Sequence, residues 1–278
     1  MAYDYTNELQ KVRNHYAGDP LQKRFSALIT GETNSGKTYL LRTARRPIHI
    51  DSFDPGGTKC LRDLIESGEV IADTRWEADD PFKPDKFAEW KKAIDLRFMI
   101  GYFEHFGTYV IDSATTFGEA VMNYGLANRN RAGEAPRRNQ DYMPQKVEMS
   151  NYIKKLMRIP CDFFLTGHLK ENRKLVHIDN QTGIAREEVN YRFYTTGQAV
   201  VTIPLLFDEI YVLLADEGRQ GPKRKILTDS LGTYIARSRL KMNGKLDVYE
   251  EPDIKKLLKK AGLTWEDKPA LPTDVKTV

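Results

Sequence analysis

The sequence predicts an α/β fold in which a mostly parallel sheet is flanked by helices and extended by antiparallel strands. Three observations lead to this prediction. An apolar run at 25–29 precedes a glycine-rich loop and a helix start, and further apolar runs at 109–111 and 163–165 each end in polar residues. After residue 170 the pattern changes to short strands separated by turns that contain glycine, asparagine or proline, which is typical of antiparallel pairs.

Length and composition indicate a globular protein with a substantial core. The chain has 278 residues, 40% of them hydrophobic and 29% charged, and its net charge of +4 is too small to indicate nucleic-acid binding by itself. We expect residues 1–24 to form an N-terminal arm and residues 25–250 the α/β domain. Residues 251–278 should form a C-terminal helix with a flexible tail.

Cysteine usage and the absence of long apolar runs suggest a cellular location. Cys60 and Cys161 are far apart and lack metal-ligand spacing, which favours a reduced, intracellular protein. The chain starts without an apolar signal core, and no run reaches the roughly 18 apolar residues of a membrane span. We therefore expect a cytoplasmic protein without a membrane partner.

The strongest motif is Gly31-Glu32-Thr33-Asn34-Ser35-Gly36-Lys37-Thr38, which lies between the first strand and a helix start. It matches the G-x-x-x-x-G-K-[ST] pattern (Walker A), in which glycines let backbone N–H groups turn inward around phosphate oxygens. Lys37 is the expected charge on the β- and γ-phosphates, and the Thr38 hydroxyl is the expected Mg²⁺ ligand. The sequence thus predicts ATP and Mg²⁺ as ligands of residues 31–38 and of the adjoining Tyr39.

A second strand, at 48–51, ends in an acidic corner that contains Asp51 and Asp54. Ligands of parallel α/β sheets bind outside the carboxyl ends of the strands, so we expect both aspartates at the edge that carries the phosphate loop. Either one could orient or deprotonate an attacking water. A helix-capping or turn aspartate explains each of them equally well.

Two later strands end in polar residues that suit a nucleotide site. Asp112 follows the run 109–111, and an acid placed there holds Mg²⁺ through water, so Thr38 and Asp112 are the predicted metal residues. Capping is the alternative role for Asp112. Thr166 and His168 follow the next strand, where His168 would sense the γ-phosphate; a structural or surface histidine is the alternative.

Two basic segments have competing interpretations. Residues 128–141 form a long polar loop with four arginines, either a mobile nucleic-acid contact or a solvated loop with balancing acids. Arg237 and Arg239 alternate at the end of a late strand and therefore share a side. They suit an arginine finger that reaches a neighbouring subunit's nucleotide, or a charged, solvated edge strand.

The chain resembles the phage-encoded nucleotide-binding ATPases of the RecA-like class, including the single-strand-annealing recombination ATPases of phages, because its motifs follow one another along the chain in the order found in that family. The resemblance rests on residues 31–38, 110–116, 164–168, 203–209 and 234–239. It implies a RecA-like P-loop core, ATP hydrolysis with Mg²⁺, and homo-oligomers in which Arg237 and Arg239 act across an interface. It also implies action on single-stranded DNA in phage recombination or replication, in the host cytoplasm, with a single-strand-binding protein as a further partner.

One departure from the family pattern concerns water activation. RecA-like proteins usually place a glutamate just after the second strand, whereas the matching stretch here is Asp51-Ser52-Phe53-Asp54. The first hypothesis is a DNA-stimulated ATPase in which Asp54 or Asp51 replaces that glutamate. The second is a nucleotide-gated DNA-binding or annealing module with little hydrolysis, or another phage DNA-handling motor. A small-molecule or nucleotide kinase is disfavoured because no arginine-rich lid occupies the required position.

Overall fold

One sheet of ten strands forms the centre of the part of the chain that the structure describes. The computed structural model describes residues 5–19, 24–137, 140–178, 185–195, 199–216, 218, 221–241 and 244–272. The strands are β1 (Ser26–Gly31), β2 (Ile48–Ser52), β3 (Val70–Asp73), β4 (Thr108–Asp112), β5 (Asp162–Ile178), β6 (Ala185–Phe193), β7 (Glu209–Asp216), β8 (Lys223–Leu227), β9 (Arg237–Ser238) and β10 (Tyr249–Glu250).

Eight α-helices are found in the described part of the chain. They are α1 (Tyr5–Gly18), α2 (Lys37–Leu40), α3 (Arg62–Glu66), α4 (Lys86–Met99), α5 (Ala114–Ala127), α6 (Tyr142–Leu156), α7 (Ala199–Thr202) and α8 (Ile254–Ala261). None of the helices in these residues combines the length and the apolar character needed to cross a bilayer.

The strand order explains how the parallel core and the antiparallel extension fit together. The order across the sheet is β10-β8-β7-β1-β5-β4-β2-β3, with β6 paired to β5 and β9 paired to β7. All neighbours from β7 to β3 are parallel, and the pairs that involve β6, β8, β9 and β10 are antiparallel. The predicted fold class, a mostly parallel sheet flanked by helices and extended by antiparallel strands, is confirmed.

The register brings the carboxyl ends of the central strands together. Gly31 pairs with His168, and Ser52 pairs with Asp112. The loop after β1, the acid at the end of β4 and the polar residues of β5 therefore meet at one edge of the sheet. Such an edge is where ligands bind in parallel α/β folds.

Helices cover both faces of the sheet and complete two apolar cores. On one face, α4, α5 and α6 contribute Trp90, Phe117 and Ile153. On the other face, the residues after the phosphate loop and α8 contribute Leu41 and Leu257. Truncating any of these fully buried side chains to alanine is expected to cost roughly 2–5 kcal/mol, so both faces stabilise the sheet that holds the site.

Two segments differ from their predicted structure. The β-branched run at 199–203 predicts a strand, but α7 forms there and packs against α6. The predicted strand at 233–236 is replaced by the two-residue β9, which pairs with β7. Both runs are short, and tertiary packing decides the structure of such runs more strongly than β-propensity does.

The two ends of the chain are only partly as expected. The predicted N-terminal arm contains helix α1, which has no buried residue. Part of the predicted flexible tail packs on the body, because Lys268 N–H donates to the Arg46 carbonyl and Leu271 lies against the core. The predicted turn at 180–183 and the last residues, 273–278, lie outside the described residues.

A buried aspartate ties the start of β5 to the start of β1. The Asp162 carboxylate accepts a hydrogen bond from Phe25 N–H at 3.0 Å and lies 3.3 Å from the Arg45 guanidinium. Burial raises the pKa of Asp162 to about 6 in spite of the Arg45 charge. The ordinary pKa of about 3.9 applies to the unfolded chain.

This difference predicts a pH-dependent loss of stability. The folded pKa lies above the unfolded one, so the contribution of Asp162 is fully present below about pH 4 and is lost as pH rises to about 6. The expected loss is on the order of 3 kcal/mol. Urea unfolding between pH 4 and 7 should show this decline in the wild type and a flatter profile in Asp162→Asn. Equal slopes in the two proteins would contradict the assignment.

Candidate functional site

The loop between β1 and α2 has the geometry of an anion-binding nest. Asn34 and Gly36 adopt left-handed backbone conformations, with φ of 67° and 97°. A Cβ at Gly31 would lie 2.4 Å from the Ser35 hydroxyl oxygen and 2.8 Å from the Leu213 carbonyl oxygen, so only glycine fits there. Successive N–H groups in such a turn converge on a concavity that suits phosphate oxygens.

Lys37 supplies the ammonium group of this loop. Its Nζ donates to the carbonyl oxygens of Gly31 at 3.1 Å and Glu32 at 2.9 Å, and it lies 3.5 Å from His168 Nδ1. Burial lowers the pKa of Lys37, while the charges of Asp112 and Asp54 oppose that shift. The ammonium thus lies inside the loop, within reach of an anion bound there.

Asp112 links the end of β4 to both neighbouring elements of the site. Its carboxylate accepts a hydrogen bond from the Thr38 hydroxyl at 2.6 Å and another from the Thr166 hydroxyl. Burial raises the pKa of this carboxyl, despite the hydrogen bonds from Thr166 and Thr38. A hydroxyl and a carboxylate at the mouth of a phosphate loop are the hard oxygen donors that Mg²⁺ prefers, so these residues fit that ion.

Asp54 follows β2 and faces the same cavity. Its Oδ1 accepts from the hydroxyls of Thr116 at 2.5 Å and Ser113 at 3.0 Å, and its Oδ2 lies 3.7 Å from His168 Nε2. Burial by itself raises the pKa of Asp54, but His168 and the two hydroxyls outweigh this effect and hold the pKa below its ordinary value. Asp54 is therefore an oriented, ionised carboxylate beside the loop.

Asp51 does not belong to this site, and its interpretation as a water-activating residue is wrong. Its side chain has no exposed area and points into the core. Its carboxylate contacts the side chains of His49, Trp76, Trp90, Arg97 and Tyr109. Each acceptor position is thereby occupied by a donor of the core, so Asp51 has a structural role.

The same core cluster is not a metal site. His49, Asp51 and Asp73 place ligand-type atoms close together. The Arg97 guanidinium, however, bridges the two carboxylates, with Nη1 2.8 Å from Asp51 and Nη2 2.6 Å from Asp73. Arginine thus already supplies the positive charge that a metal ion would contribute.

The basic residues of the late strand are held within their own chain. The Arg237 guanidinium donates to the carbonyl oxygens of Pro204 and Phe207, which does not suit a finger that reaches out of the subunit. Arg239 lies 2.6 Å from Asp208 and its side chain is 64% exposed. Arg239 is therefore the one of the pair that remains accessible to a neighbour.

The loop at 128–141 carries its own balancing acids. Asp141 is buried and lies 2.6 Å from Arg129 and 2.9 Å from Arg131, while Glu134 lies 2.7 Å from Arg131. These contacts favour the solvated-loop interpretation for the first two arginines. Residues 138–139 lie outside the described part of the loop.

The site residues open onto one cavity of about 520 Å³. Its walls are formed by Asn34, Gly36, Lys37, Thr38, Tyr39, Asp54, Gly57, Cys60, Asp112, His168 and Arg224. The sequence predictions did not include Arg224, because it belongs to no motif and comes from β8, far along the chain. They also missed that Thr166 is buried beneath Asp112 and that Ser113 and Thr116 orient Asp54.

The fold and this cavity define the class of the protein: it is a P-loop nucleotide-binding protein. The family model described as an AAA domain matches residues 23–240, and the chain belongs to that family of P-loop ATPase domains. This match supports the P-loop ATPase part of the resemblance seen in the sequence.

Other comparisons add little to this assignment. No curated protein matches the chain. Among solved structures, a KaiC-like protein from the hyperthermophilic archaeon Pyrococcus horikoshii OT3 aligns over 73% of this chain and 77% of its own, with 12% sequence identity and a TM-score of 0.37. These values are too low to support an inference about activity.

The two aspartates after β2 should respond differently to substitution. Asp51→Asn removes the charge that compensates buried Arg97, so it should lower the free energy of unfolding by roughly 3–5 kcal/mol. Affinity for an ATP analogue should stay near wild type at a temperature where the variant is folded. Urea unfolding and equilibrium binding measure these two quantities.

The matched control is Asp63→Asn, which alters an exposed ion pair with Arg42 and should change stability little. An Asp51→Asn protein that is as stable as wild type but inactive would contradict the structural role of Asp51.

Proposed function

We propose that this protein binds Mg²⁺–ATP in the cavity at the end of β1 and hydrolyses the bond to the γ-phosphate. The observation that carries the proposal is the convergence of three groups on one cavity. These are the Lys37 ammonium, the Thr38–Asp112 oxygen pair and the oriented carboxylate of Asp54. Each of them has a counterpart in the chemistry of phosphoryl transfer to water.

Lys37 and the loop would hold the phosphates. Lys37 Nζ donates to two loop carbonyls, Gly31 O and Glu32 O. We expect phosphate oxygens to replace these acceptors, since a charged acceptor forms a stronger hydrogen bond with an ammonium than a carbonyl does. The exchange would bring the lysine charge onto the β- and γ-phosphates.

Thr38 and Asp112 would hold Mg²⁺, which neutralises charge on the phosphates when bound. In the structure the Thr38 hydroxyl donates directly to Asp112. The hydroxyl and the carboxylate would supply the oxygen ligands for the ion. The Thr166 hydroxyl, buried below Asp112, holds the carboxylate in place.

Asp54 would position the attacking water. Ser113 and Thr116 occupy Oδ1, which leaves Oδ2 on the side of His168. A water bound to Oδ2 would donate a proton toward Asp54 while its oxygen attacks the γ-phosphorus and ADP leaves. Since aspartate is one methylene shorter than the usual glutamate, we expect slow turnover.

His168 would sense the γ-phosphate. Its ring lies between the two charged groups, with Nδ1 3.5 Å from Lys37 Nζ and Nε2 3.7 Å from Asp54. A phosphate bound beside the ring would alter the contacts of His168 with both Lys37 and Asp54. His168 lies on β5, which continues past its parallel neighbours into the hairpin with β6, so β5 connects this site to the hairpin directly.

The biological setting that we propose is a homo-oligomer acting on single-stranded DNA in phage recombination or replication. The resemblance of the motifs to phage RecA-like ATPases supports this setting. The exposed Arg239 guanidinium suits a finger that acts on a neighbouring subunit. A single-strand-binding protein would be a partner in such a setting.

A nucleotide-gated DNA-binding or annealing module with little hydrolysis is the second candidate. The aspartate at the position of the usual glutamate favours it. A single-turnover ATPase assay with and without single-stranded DNA separates the two, because only the first candidate predicts DNA-stimulated hydrolysis.

Two substitutions test the assignment of the cavity. Lys37→Ala should lose affinity for ATP, because the loop retains its amides but no ammonium. Asp54→Asn should keep that affinity and lose turnover by roughly 10²–10⁴-fold, as expected for a group that handles the proton of the attacking water. A fluorescent ATP analogue and single-turnover hydrolysis measure the two effects. Normal hydrolysis by Lys37→Ala would refute the proposal.

A finger in trans predicts a dependence on protein concentration. Turnover per chain should rise as the protein assembles, and Arg239→Ala should abolish the rise, with a loss on the order of 10³-fold at saturation. Lys256→Ala, another exposed cation paired with an acid, is the control. Light scattering should accompany the assay, and a flat concentration dependence in a monomeric protein would remove this part of the proposal.

A further inference from the structure

Arg224 reaches the phosphate loop from the far side of the sheet. It lies on β8, whose neighbour β7 flanks β1 on the side opposite β5. Its Nε donates to the Ser35 carbonyl oxygen at 3.0 Å, and a Cβ at Gly36 would lie only 2.8 Å from the same nitrogen. The guanidinium is thus packed directly on the loop and forms part of the cavity wall.

The two ends of the cavity differ in their chemistry. Asp54 follows β2, Asp112 ends β4 and His168 lies on β5, and these three strands are all on one side of β1. In the function proposed above, these residues mark the end of the cavity where the γ-phosphate reacts. Arg224 lies on the other side of β1. A triphosphate whose γ-phosphate faces Asp54 would therefore extend its non-transferred phosphates toward Arg224.

The Arg224 guanidinium has further N–H groups that could bind a ligand. Among the hydrogen bonds of the described residues, only its Nε has an acceptor. The two terminal nitrogens carry four further N–H groups in a planar fork that suits phosphate oxygens. Adjacent side chains on β8 point to the opposite face of the strand, where Lys225 pairs with Asp216.

We propose that Arg224 is a nucleotide-binding residue that acts within its own subunit and clamps the non-transferred phosphates of the bound nucleotide. The proposal rests on the nucleotide site described above and extends it by one residue. Arg224 does not approach the reacting end, so it contributes equally to the bound substrate and to the transition state. Its contribution should appear in KM and not in the chemical step.

The test compares Arg224→Gln with wild type. Glutamine keeps an N–H donor for Ser35 O but loses the charge and the fork. We expect the affinities for ATP, ADP and inorganic tripolyphosphate to fall by a similar factor, about 10- to 100-fold. The loss in kcat/KM should arise from KM, and the salt dependence of binding should weaken. Lys223→Gln removes one charge from the same strand and is the matched control.

The outcomes separate this proposal from the function on which it rests. If wild type and Lys37→Ala both fail to bind ATP, the nucleotide site itself is wrong. If wild type binds and Arg224→Gln binds equally well, Arg224 only braces the loop and the proposal is overturned. If Arg224→Gln weakens ATP and ADP but not tripolyphosphate, the residue contacts the nucleoside, and the phosphate clamp is likewise overturned.

Discussion

The site depends on one buried carboxylate, that of Asp112, which joins three elements at the edge of the sheet. It lies at the end of β4 and accepts hydrogen bonds from Thr38 at the start of α2 and from Thr166 on β5. A buried carboxylate is costly unless donors surround it, so this arrangement is stable only when all three elements dock in register. The fold and the geometry of the phosphate loop are thus coupled through a single side chain.

Asp51 and Asp54 show how the sheet assigns opposite roles to similar residues. Asp51 belongs to β2 and points into the core, where Arg97 and two tryptophan N–H groups neutralise and satisfy it. Asp54 lies just beyond the strand, where two hydroxyls hold one oxygen and the other faces the cavity. One carboxylate stabilises the fold and the other remains available for chemistry, because only the second is bordered by open space.

The cavity is asymmetric about the loop. Acidic and imidazole groups lie on the side of β2, β4 and β5, and the guanidinium of Arg224 lies on the side of β7 and β8. In the proposed function, a linear triphosphate has only one orientation in which its terminal phosphate meets Asp54. The antiparallel extension thus contributes the Arg224 side chain to the cavity wall as well as adding strands to the sheet.

The sequence by itself determined the α/β class, the loop 31–38 and the polar ends of β4 and β5. Each of these features depends on local patterns, namely apolar runs and glycine spacing, which involve only residues that are close together in the chain. It did not decide the roles of Asp51 and Asp54. It predicted a strand at 199–203, where a helix forms, and it gave no signal for Arg224. Only the tertiary structure decided these points, because the direction of a side chain and the approach of a distant strand depend on packing partners remote in the chain.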